Sequence, residues 1–412
     1  MLTKEQKTEF SEILEELGNT LDISETQFNA AVESYNAVGN WLCADDSLLK
    51  PFSPTIKPQG SFLIGTTIQP YDENQDLDID LVCELSGKNE RWTQKDLKVI
   101  VGGQLEKHKT YRSLLDEEGR RCWTLKYREN SKRNDQYHMD ILPAVIAFGY
   151  TVLLEKAFSN VTTNHVDHLA ISITDREEGN YNTEKRPEYW LKSNPFGYAK
   201  WFIDQATVPG SSIRMFSLNE AVKPTPKYQR ERMPLQRVVQ ILKRHRDMMF
   251  KDDKEKPISI IITTLAAYAY EKQTNVLEAL VDVIDRMHLF IKTKYDPITG
   301  EFYRCVENPV NDKENFADKW RETPAKETKF MRWLEKVKED ISNATAQRGN
   351  HNIMESLSKA FGKNEITRTF TNIGERKRLL TEQGKNRFDT KLGITAGAAN
   401  VIKPHNFYGS ED

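Results

Sequence analysis

The chain has 412 residues, and its 61 acidic and 59 basic side chains nearly cancel to a formal charge of −2. This length exceeds one typical domain, so we expect two lobes or one large fused unit with a substantial core. The balanced charge argues against a protein that coats nucleic acid through a generally basic surface.

The cysteines and the hydropathy pattern indicate the compartment. The four cysteines are far apart and form no Cys-x-x-Cys pair, which favours reduced thiols over a zinc site or a disulfide framework. They are Cys43, Cys83, Cys122 and Cys305. The amino-terminal segment has no signal-peptide core, and no run of about 18 apolar residues could cross a bilayer. We therefore expect a soluble, cytoplasmic protein without membrane association.

Two helices followed by strands are predicted in the first part of the chain. Apolar residues recur at helical spacing over residues 5–21, and Ser24 with Gln27 forms a capping-box pattern at the start of a second helix. Further segments alternate or are rich in aromatic and branched residues, which predicts a mixed sheet. The predicted strands cover residues 77–85, 122–128 and 137–148.

Helices dominate the second part. Residues 174–200 are polar, rich in turn formers and poorly periodic, so they are predicted to form a long loop or boundary. From Pro234 onward, apolar residues recur with helical period in several segments. The last residues, 390–412, have no helical period and contain glycine and small side chains, which predicts an extended tail.

The segment "DLDIDL" collects acidic side chains on one face of a predicted strand. Because side chains alternate along a strand, Asp76, Asp78 and Asp80 face one side, and the leucine and isoleucine residues between them face the core. Carboxylates this close repel one another, and a bound divalent cation relieves that repulsion. A metal site is the leading explanation, and the solvated polar face of an edge strand is the alternative.

A calcium-binding loop is a second alternative for these acids. Asp72, Asn74 and Asp76 fit the first, third and fifth positions of an EF-hand loop. The sixth position requires a turn-making glycine and holds Leu77, and the twelfth requires a bidentate glutamate and holds Cys83. The pattern therefore disfavours an EF-hand.

Gly60 and Ser61 precede the acidic strand and are typical of a phosphate-binding turn. A glycine lets the backbone approach a phosphate closely, and a serine at the start of a short helix offers its hydroxyl and amide groups to an anion. A Gly-Ser pair alone is a common turn. Together with the acidic strand, it predicts one substructure that binds both phosphate and metal.

A third carboxylate is needed if two metal ions are to act on a phosphoryl group. Asp140 is the best candidate, because it lies between apolar residues of a predicted strand, where an unpaired charge would be costly. His138 is predicted to share its face, with a structural role favoured over substrate contact.

These residues resemble a family, the bacterial cGAS/DncV-like nucleotidyltransferases, which are relatives of animal cGAS and the oligoadenylate synthetases within the polymerase-beta-like superfamily. The matching motif is Gly60-Ser61, then Asp78-Ile79-Asp80-Leu81, then Asp140. Sixteen residues separate Ser61 from Asp78, which indicates an insertion around residues 71–75 and leaves Asp76 as the alternative first member of the pair. The flanking leucines, Leu77 and Leu81, favour Asp78.

The resemblance extends into the second part of the chain and covers about residues 50–325. The segment "LQRVVQILKRHRD" resembles the family helix whose lysine binds the donor triphosphate, which gives that role to Lys243, and Ser259 falls where a polar residue approaches the nucleotide. The alternatives are a solvated basic face formed by Lys243, Arg244 and Arg246, and an N-cap role for Ser259.

A further segment, "ENPVNDKENFADKW", resembles one near the end of the family's helical lobe. The matching residues are Asn308, Pro309, Glu314, Asn315, Phe316, Ala317 and Trp320. We interpret their role as packing and loop architecture.

The resemblance implies an α+β fold. It predicts a polymerase-beta-like nucleotidyltransferase core, made of a mixed sheet with helices, fused to a helical lobe, with the active site in the cleft between them. The implied organisation is helices over 1–50 that brace both lobes, the core over 51–210, a helical lobe similar to that of the oligoadenylate synthetases over 211–390, and a flexible tail over 391–412.

The resemblance also implies the activity. Two Mg²⁺ ions, for which Mn²⁺ could substitute, would be held by Asp78, Asp80 and Asp140, and ATP and other nucleoside triphosphates would be the substrates, bound by Gly60, Ser61, Lys243 and Ser259. The implied product is a cyclic di- or trinucleotide second messenger that activates an effector in bacterial anti-phage signalling (CBASS). The alternatives are transfer of a single nucleotide to a protein or RNA end, and a catalytically silent nucleotide-binding protein. The balanced charge gives no sign of an obligatory nucleic-acid partner.

The carboxyl-terminal sequence "HNFYGSED" suggests one partner. Several family members have a glycine-containing tail that an E1/E2-like protein joins to targets, and Gly409 would be the corresponding residue. Three residues follow Gly409, so conjugation would require processing. An unstructured terminus is the alternative.

Overall fold

The structure is a computed structural model. It describes residues 2–72, 76–127, 137–146, 169–210, 228 and 230–383, and the backbone of three short segments after them. Those segments are 387–389, 393–395 and 400–401. Most of the predicted tail, including Gly409, and Asn74 of the calcium-loop alternative lie outside the described residues.

A mixed six-stranded sheet forms the centre of the first part of the molecule. Its strands are β1 (Pro54–Pro58), β2 (Leu77–Leu85), β3 (Trp123–Tyr127), β4 (Tyr137–Ile146), β5 (Ile171–Ile173) and β6 (Lys192–Ser193). β2 and β4 pair in parallel, and all other pairs are antiparallel. β3 and β5 occupy the same edge of β4, so β4 lies in the middle of the sheet beside β2. The three strands predicted from the sequence correspond to β2, β3 and β4.

Helices pack on this sheet and precede it. They are α1 (Lys4–Leu21), α2 (Glu25–Leu42), α3 (Gly60–Leu63), α4 (Gln94–Lys107), α5 (Lys109–Leu114) and α6 (Pro195–Ala206). The predicted capping box at the start of α2 is confirmed, because the Ser24 hydroxyl accepts from Gln27 N and the Gln27 side chain accepts from Ser24 N.

The predicted loop over residues 174–200 is partly wrong. α6 begins at Pro195, where Asn194 caps the helix by accepting a 2.8 Å hydrogen bond from Gly197 N. Proline is favoured at the first position of a helix, and asparagine is favoured at the N-cap. The start signal was therefore present in "SNPFG" but was obscured by the turn-forming composition around it.

The second part of the molecule is mainly helical, as predicted. Its helices are α7 (Pro234–Phe250), α8 (Ser259–Ala269), α9 (Val276–Arg286), α10 (Lys319–Glu322), α11 (Pro324–Ala346), α12 (Asn350–Phe361) and α13 (Lys363–Glu382). Two hairpins that the sequence pattern did not predict interrupt the helices. Their strands are β7 (Lys292–Asp296), β8 (Glu301–Cys305), β9 (Glu307–Asn308) and β10 (Asn311–Asn315). Beyond α13, three short strands pair with one another, namely β11 (Arg387–Asp389), β12 (Gly393–Thr395) and β13 (Asn400–Val401).

The first two helices contribute to different hydrophobic cores. The buried face of α1, which includes Phe10 and Leu17, packs with the buried residues of α7 to α13. The buried face of α2, which includes Phe28 and Leu42, packs with β2, β4 and α4. The chain therefore connects its sheet part and its helical part at the amino terminus as well as through α6. These observations confirm the α+β class.

Within the described residues, no helix is long and apolar enough to cross a membrane. The four cysteines are free thiols, and Cys83 and Cys305 are buried.

Candidate active site

The acidic strand β2 directs its carboxylates to one face of the sheet. Leu77, Ile79 and Leu81 are buried in the core, whereas the Asp78 side chain is 82% exposed and Asp80 is half-buried. The pleat of a strand turns successive side chains to opposite faces. Asp78 and Asp80 therefore border a cavity on the outer face of the sheet.

Asp140 lies on β4, directly beside Asp80. The parallel register of β2 and β4 pairs Asp80 with Asp140, and hydrogen-bonded strands are about 4.8 Å apart. On the other side of Asp140, Thr124 of β3 is its register partner, and the Thr124 hydroxyl donates a 2.5 Å hydrogen bond to Asp140 Oδ1. The sheet thus brings together the three aspartates predicted to act together, and it fixes one oxygen of Asp140.

The proximity of these carboxylates changes their proton affinity. Loss of hydration, together with repulsion from Asp78 and Asp140, raises the pKa of Asp80 to about 7. The pKa of Asp78 is also raised, first by loss of hydration and then by repulsion from Asp140, although His138 partly compensates. Asp80 would therefore be only partly ionised at neutral pH in the absence of a cation.

Asp76, unlike Asp78, is buried and lies against the imidazole of His138. Its side chain is 1% exposed, and its Oδ2 lies 2.6 Å from His138 Nε2. His138 is the register partner of Asp78, and its Nδ1 is 3.9 Å from Asp78 Oδ1. Because Asp76 is engaged with the imidazole and Asp78 is exposed, the geometry favours Asp78 as the first member of the pair.

Gly60 brings the turn that is predicted to bind phosphate against Asp80. Gln59 N donates a 2.8 Å hydrogen bond to Asp80 O, and Gly60 has a φ of +62°, a conformation that favours glycine. A Cβ atom at this position would overlap Asp80 Oδ2. The next residue, Ser61, opens toward the same cavity, and its hydroxyl is 3.2 Å from Thr67 Oγ1. The predicted short helix is a single turn, α3.

Lys243 reaches the loop that follows this turn. Its Nζ donates a 2.9 Å hydrogen bond to Thr66 O, and the side chain lies at the wall of the cavity. Burial, and then repulsion from Arg246, lowers the pKa of Lys243 to about 8, whereas Asp247, Asp78 and Asp80 oppose that shift. The lysine predicted to bind phosphate therefore lies within the electrostatic field of the acidic strand.

The alternative of a solvated basic face for α7 is wrong. Lys243 and Arg246 are each 7% exposed, and Arg244 is 1% exposed. Arg246 donates hydrogen bonds to Asp247 Oδ1, Pro257 O and Ser259 Oγ.

Ser259 also lines the cavity, and it does so as the first residue of α8 rather than as its N-cap, which is Ile258. Its hydroxyl oxygen accepts a 2.9 Å hydrogen bond from Arg246. The alternative of an N-cap role for Ser259 is therefore wrong, and its hydroxyl is held at the cavity wall by the Arg246 guanidinium group.

The cavity has a volume of about 870 Å³ and lies between the sheet and the helical part. All the residues singled out as phosphate-binding line it, and so do Asp78 and Asp80. Sequence reasoning missed several other lining residues: Thr66, Thr67, Asn194, Tyr198 and Arg246. Among them Thr66 is notable because its hydroxyl is buried and has no hydrogen-bond partner in the described part of the chain. Its position shortly after Gly60-Ser61 was the only sequence signal for it.

The segment resembling "Asn-Pro…Glu-Asn-Phe-Ala" also contributes to the cavity. Ala317 and Trp320 are buried, in agreement with a packing role. Asn308, Glu314 and Phe316, in contrast, line the cavity. The segment therefore forms part of the cavity wall in addition to its packing role.

The donor set fits Mg²⁺, which prefers hard carboxylate oxygens and usually keeps several water or phosphate ligands. A cation here would also relieve the repulsion that raises the pKa of Asp80. Across the residues that the structure describes, no group of three or more His, Cys, Asp or Glu side chains is arranged so that it could hold a metal ion by itself. Asp78, Asp80 and Asp140 are therefore candidate ligands that do not form a closed cage.

Comparison with known proteins identifies the same part of the chain. Residues 54–143 match the model of the nucleotidyltransferase domain of DncV-like cyclic GMP-AMP synthases. A c-di-GMP synthase of Roseivirga ehrenbergii is 28% identical over 366 residues, which span 89% of this chain and 84% of that protein. The cyclic dinucleotide synthase CdnG of Bradyrhizobium diazoefficiens is 22% identical over 409 residues, spanning 95% of this chain and 89% of that protein.

The fold agrees with these relatives. The solved structure of the Bradyrhizobium diazoefficiens CdnG, in complex with GTP, superposes with a TM-score of 0.63 at 20% sequence identity and covers 89% of this chain and 99% of that chain. The mixed sheet with its fused helical part is thus a nucleotidyltransferase fold. Residues 54–143 therefore form a DncV-like nucleotidyltransferase domain, and most of the chain is similar to bacterial cyclic dinucleotide synthases.

Proposed function

We propose that this chain is a Mg²⁺-dependent nucleotidyltransferase that joins nucleoside triphosphates into a cyclic di- or trinucleotide and releases pyrophosphate. The observation that carries the proposal is the register of two paired strands, which sets Asp140 directly beside Asp80, while Asp78 and Asp80 line the cavity. Gly60-Ser61 and Lys243 lie at the same cavity. The relatives named as cyclic dinucleotide synthases favour a dinucleotide product.

The three aspartates are proposed to bind the metal ions. When bound, Mg²⁺ polarises the α-phosphorus, lowers the pKa of the attacking ribose hydroxyl and stabilises the leaving pyrophosphate. Thr124 orients Asp140 by donating to its Oδ1, and the Asp140 carboxylate is proposed to accept the proton of the acceptor hydroxyl. Gly60 keeps the backbone beside Asp80 free of side-chain bulk.

The phosphates are proposed to lie against Ser61 and Lys243. A lysine ammonium has three donors, and one of those of Lys243 is used by Thr66 O. The remaining two can bind phosphate oxygens without breaking that contact. Ser259 is held in place by Arg246 and offers its hydroxyl at the same cavity wall.

The test is product analysis of the purified full chain with each labelled ribonucleoside triphosphate and with all four, in Mg²⁺ and in Mn²⁺. We expect a phosphatase-resistant cyclic product from the wild type and none from Asp78→Asn/Asp80→Asn. The matched control is Asp45→Asn, which changes an aspartate whose side chain is 97% exposed and which is not part of the cavity lining. Label retained on a protein or RNA would instead indicate single-nucleotide transfer, and nucleotide binding without turnover would indicate a silent protein.

The biological setting follows from the family resemblance. We infer that the product activates an effector during phage infection and that the chain acts in the cytoplasm, where its free thiols would stay reduced.

The tail is proposed to be conjugated through Gly409 by an E1/E2-like protein. Mass spectrometry of the carboxyl terminus, with such a protein co-expressed, tests this, and a tail that stays intact through Asp412 and unconjugated contradicts it.

A further inference from the structure

Glu314 is a carboxylate in the cavity to which the proposed phosphoryl chemistry gives no role. It lines the same cavity as Asp80 and Ser61, although it comes from the β9–β10 hairpin of the second part of the chain. Within the described part of the chain, no lysine or arginine lies within ion-pair distance of it. Loss of hydration raises the pKa of Glu314, and hydrogen bonds from Asn308 and Asn311 and the charge of Arg121 oppose that shift. An anionic group is costly at such a place unless hydrogen-bond donors meet it.

The hairpin is built to hold this carboxylate toward the cavity. Asn308 is 5% exposed, and its Nδ2 donates a 2.7 Å hydrogen bond to Glu314 Oε2. The Asn308 side chain is itself fixed, because its Oδ1 accepts from Val310 N. Asn315 anchors the end of the strand by accepting from Val306 N and Ala317 N.

A register shift between β9 and β10 sets the direction of the Glu314 side chain. The pairing of β9 with β10 is irregular between Asn311 and Asn315, and Glu314 lies in that irregular stretch. Such irregularities redirect side chains and are common beside active sites. Phe316, two residues further along, also lines the cavity and meets Tyr198 edge to face at 5.9 Å between ring centroids. The cavity wall thus combines a carboxylate with two aromatic rings, against which a flat ring with a polar edge would pack.

The chemistry of the bases decides which ring fits. A carboxylate accepts hydrogen bonds and cannot donate them when ionised. Guanine presents two adjacent donors on its Watson–Crick edge, N1–H and the 2-amino group. The corresponding edges of adenine, cytosine and uracil each combine donors with acceptors, so a lone pair of Glu314 would face a lone pair of the base. Of the four bases, only guanine can bind a carboxylate through both of its oxygens.

We propose that Glu314 selects guanine nucleotides by accepting hydrogen bonds from N1–H and the 2-amino group of the base, with Asn308 as the positioning residue that orients the carboxylate. The proposal rests on the proposed nucleotidyltransferase function and specifies its substrate class. Asn308 donates to Oε2 and Asn311 also hydrogen-bonds the carboxylate, but the two oxygens of an ionised carboxylate together offer about four acceptor positions. Both oxygens therefore remain available to the base.

The experiment compares initial rates of product formation with GTP, inosine triphosphate or ATP as the only nucleotide, for wild type, Glu314→Gln and Glu322→Gln. Inosine triphosphate differs from GTP only by loss of the 2-amino group. We expect wild type to prefer GTP to both analogues in kcat/KM by about 10- to 100-fold, the usual discrimination of a bidentate contact. A glutamine donates to N1 of adenine and accepts from its amino group, so Glu314→Gln should lose the preference for GTP over inosine triphosphate and gain relative rate with ATP. Glu322 is exposed outside the cavity, and Glu322→Gln should keep the wild-type ratios.

The outcomes separate the two proposals. A wild type that forms no nucleotide product from any triphosphate contradicts the proposed function. A wild type that forms product while Glu314→Gln retains both rate ratios within about twofold overturns the role of Glu314 and leaves the function standing. Competition binding to wild type makes the test independent of the variant's folding: equal affinity for GTP and inosine triphosphate overturns the proposal, and weaker binding of inosine triphosphate supports it.

Discussion

The Asp80 side chain lies where cation binding and the neighbouring carboxylates favour opposite protonation states. It must be ionised to bind a cation, and yet its position beside Asp78 and Asp140 favours the protonated form and raises its pKa to about 7. A raised pKa means that the folded state binds the proton more tightly than the unfolded state does. Without metal, the contribution of Asp80 to the free energy of unfolding therefore falls as the pH rises from about 4 to about 7 and is constant above that range.

Asp80→Asn removes this cost, and we expect it to stabilise the metal-free protein at pH 8. One pKa unit corresponds to about 1.4 kcal/mol, so an increase in unfolding free energy of about 1–3 kcal/mol is expected at pH 8, shrinking toward zero near pH 4. Thermal melting in EDTA at both pH values measures the effect. Asp46→Asn, at an exposed aspartate, serves as the control and should melt like wild type at both. A variant that melts at or below the wild-type temperature at pH 8 would show that repulsion does not govern this site.

At the scale of elements, helix α4 packs against strand β3, whose Thr124 donates the hydrogen bond that orients Asp140 on β4. Gly102 of α4 faces Trp123, the first residue of β3, and a Cβ at Gly102 would overlap the indole ring. Trp123 is fixed further by its 2.8 Å hydrogen bond to Lys98 O. The neighbouring Gly103 faces open space, since a Cβ there would meet no heavy atom of the described residues within 4 Å outside its own helix turn.

Gly102→Ala and Gly103→Ala therefore form a matched pair in one helix. We expect Gly102→Ala to lower the free energy of unfolding by about 1–3 kcal/mol, because the indole must move in a packed core. Gly103→Ala should raise it by up to about 1 kcal/mol, because alanine is the better helix former. Thermal melting of both variants tests the pair, and equal effects of the two substitutions would contradict the packing argument.

The elements also show what the sequence could predict. The strand β2 and the capping box of α2 were predictable because their signals are local: alternation in one case and Ser24 with Gln27 in the other. The contact of Lys243 with Thr66 joins residues 177 positions apart, and no local pattern encodes it. Glu314 lies in a hairpin with an irregular register. The resemblance of this segment to a family segment placed Glu314 near the end of the helical lobe. It did not predict that the side chain lines the cavity.

At the scale of the whole molecule, the candidate site depends on both parts of the chain. The aspartates belong to the sheet, whereas Lys243 and Glu314 belong to the helical part and its hairpin. The two parts are held together at the amino terminus by a buried network in which Asp22 accepts from Arg237 and Gln240. Gln240 also donates to Thr67 O, which ties this network to the loop at the cavity. A nucleotide in the cavity would therefore contact both parts at once.

A non-hydrolysable GTP analogue with Mg²⁺ should consequently stabilise the molecule as one unit. A ligand at 100 times its dissociation constant adds about 2.7 kcal/mol to the stability of the state that binds it. We expect one melting transition to move upward in scanning calorimetry, because melting either part alone would destroy the site. Lys243→Met should reduce the shift, since it removes a buried cation from the proposed phosphate position, whereas Lys359→Met, on an exposed face of α12, should not. Movement of only one of two separate transitions would indicate that the ligand binds to a single part, and the cleft would then not be the nucleotide site.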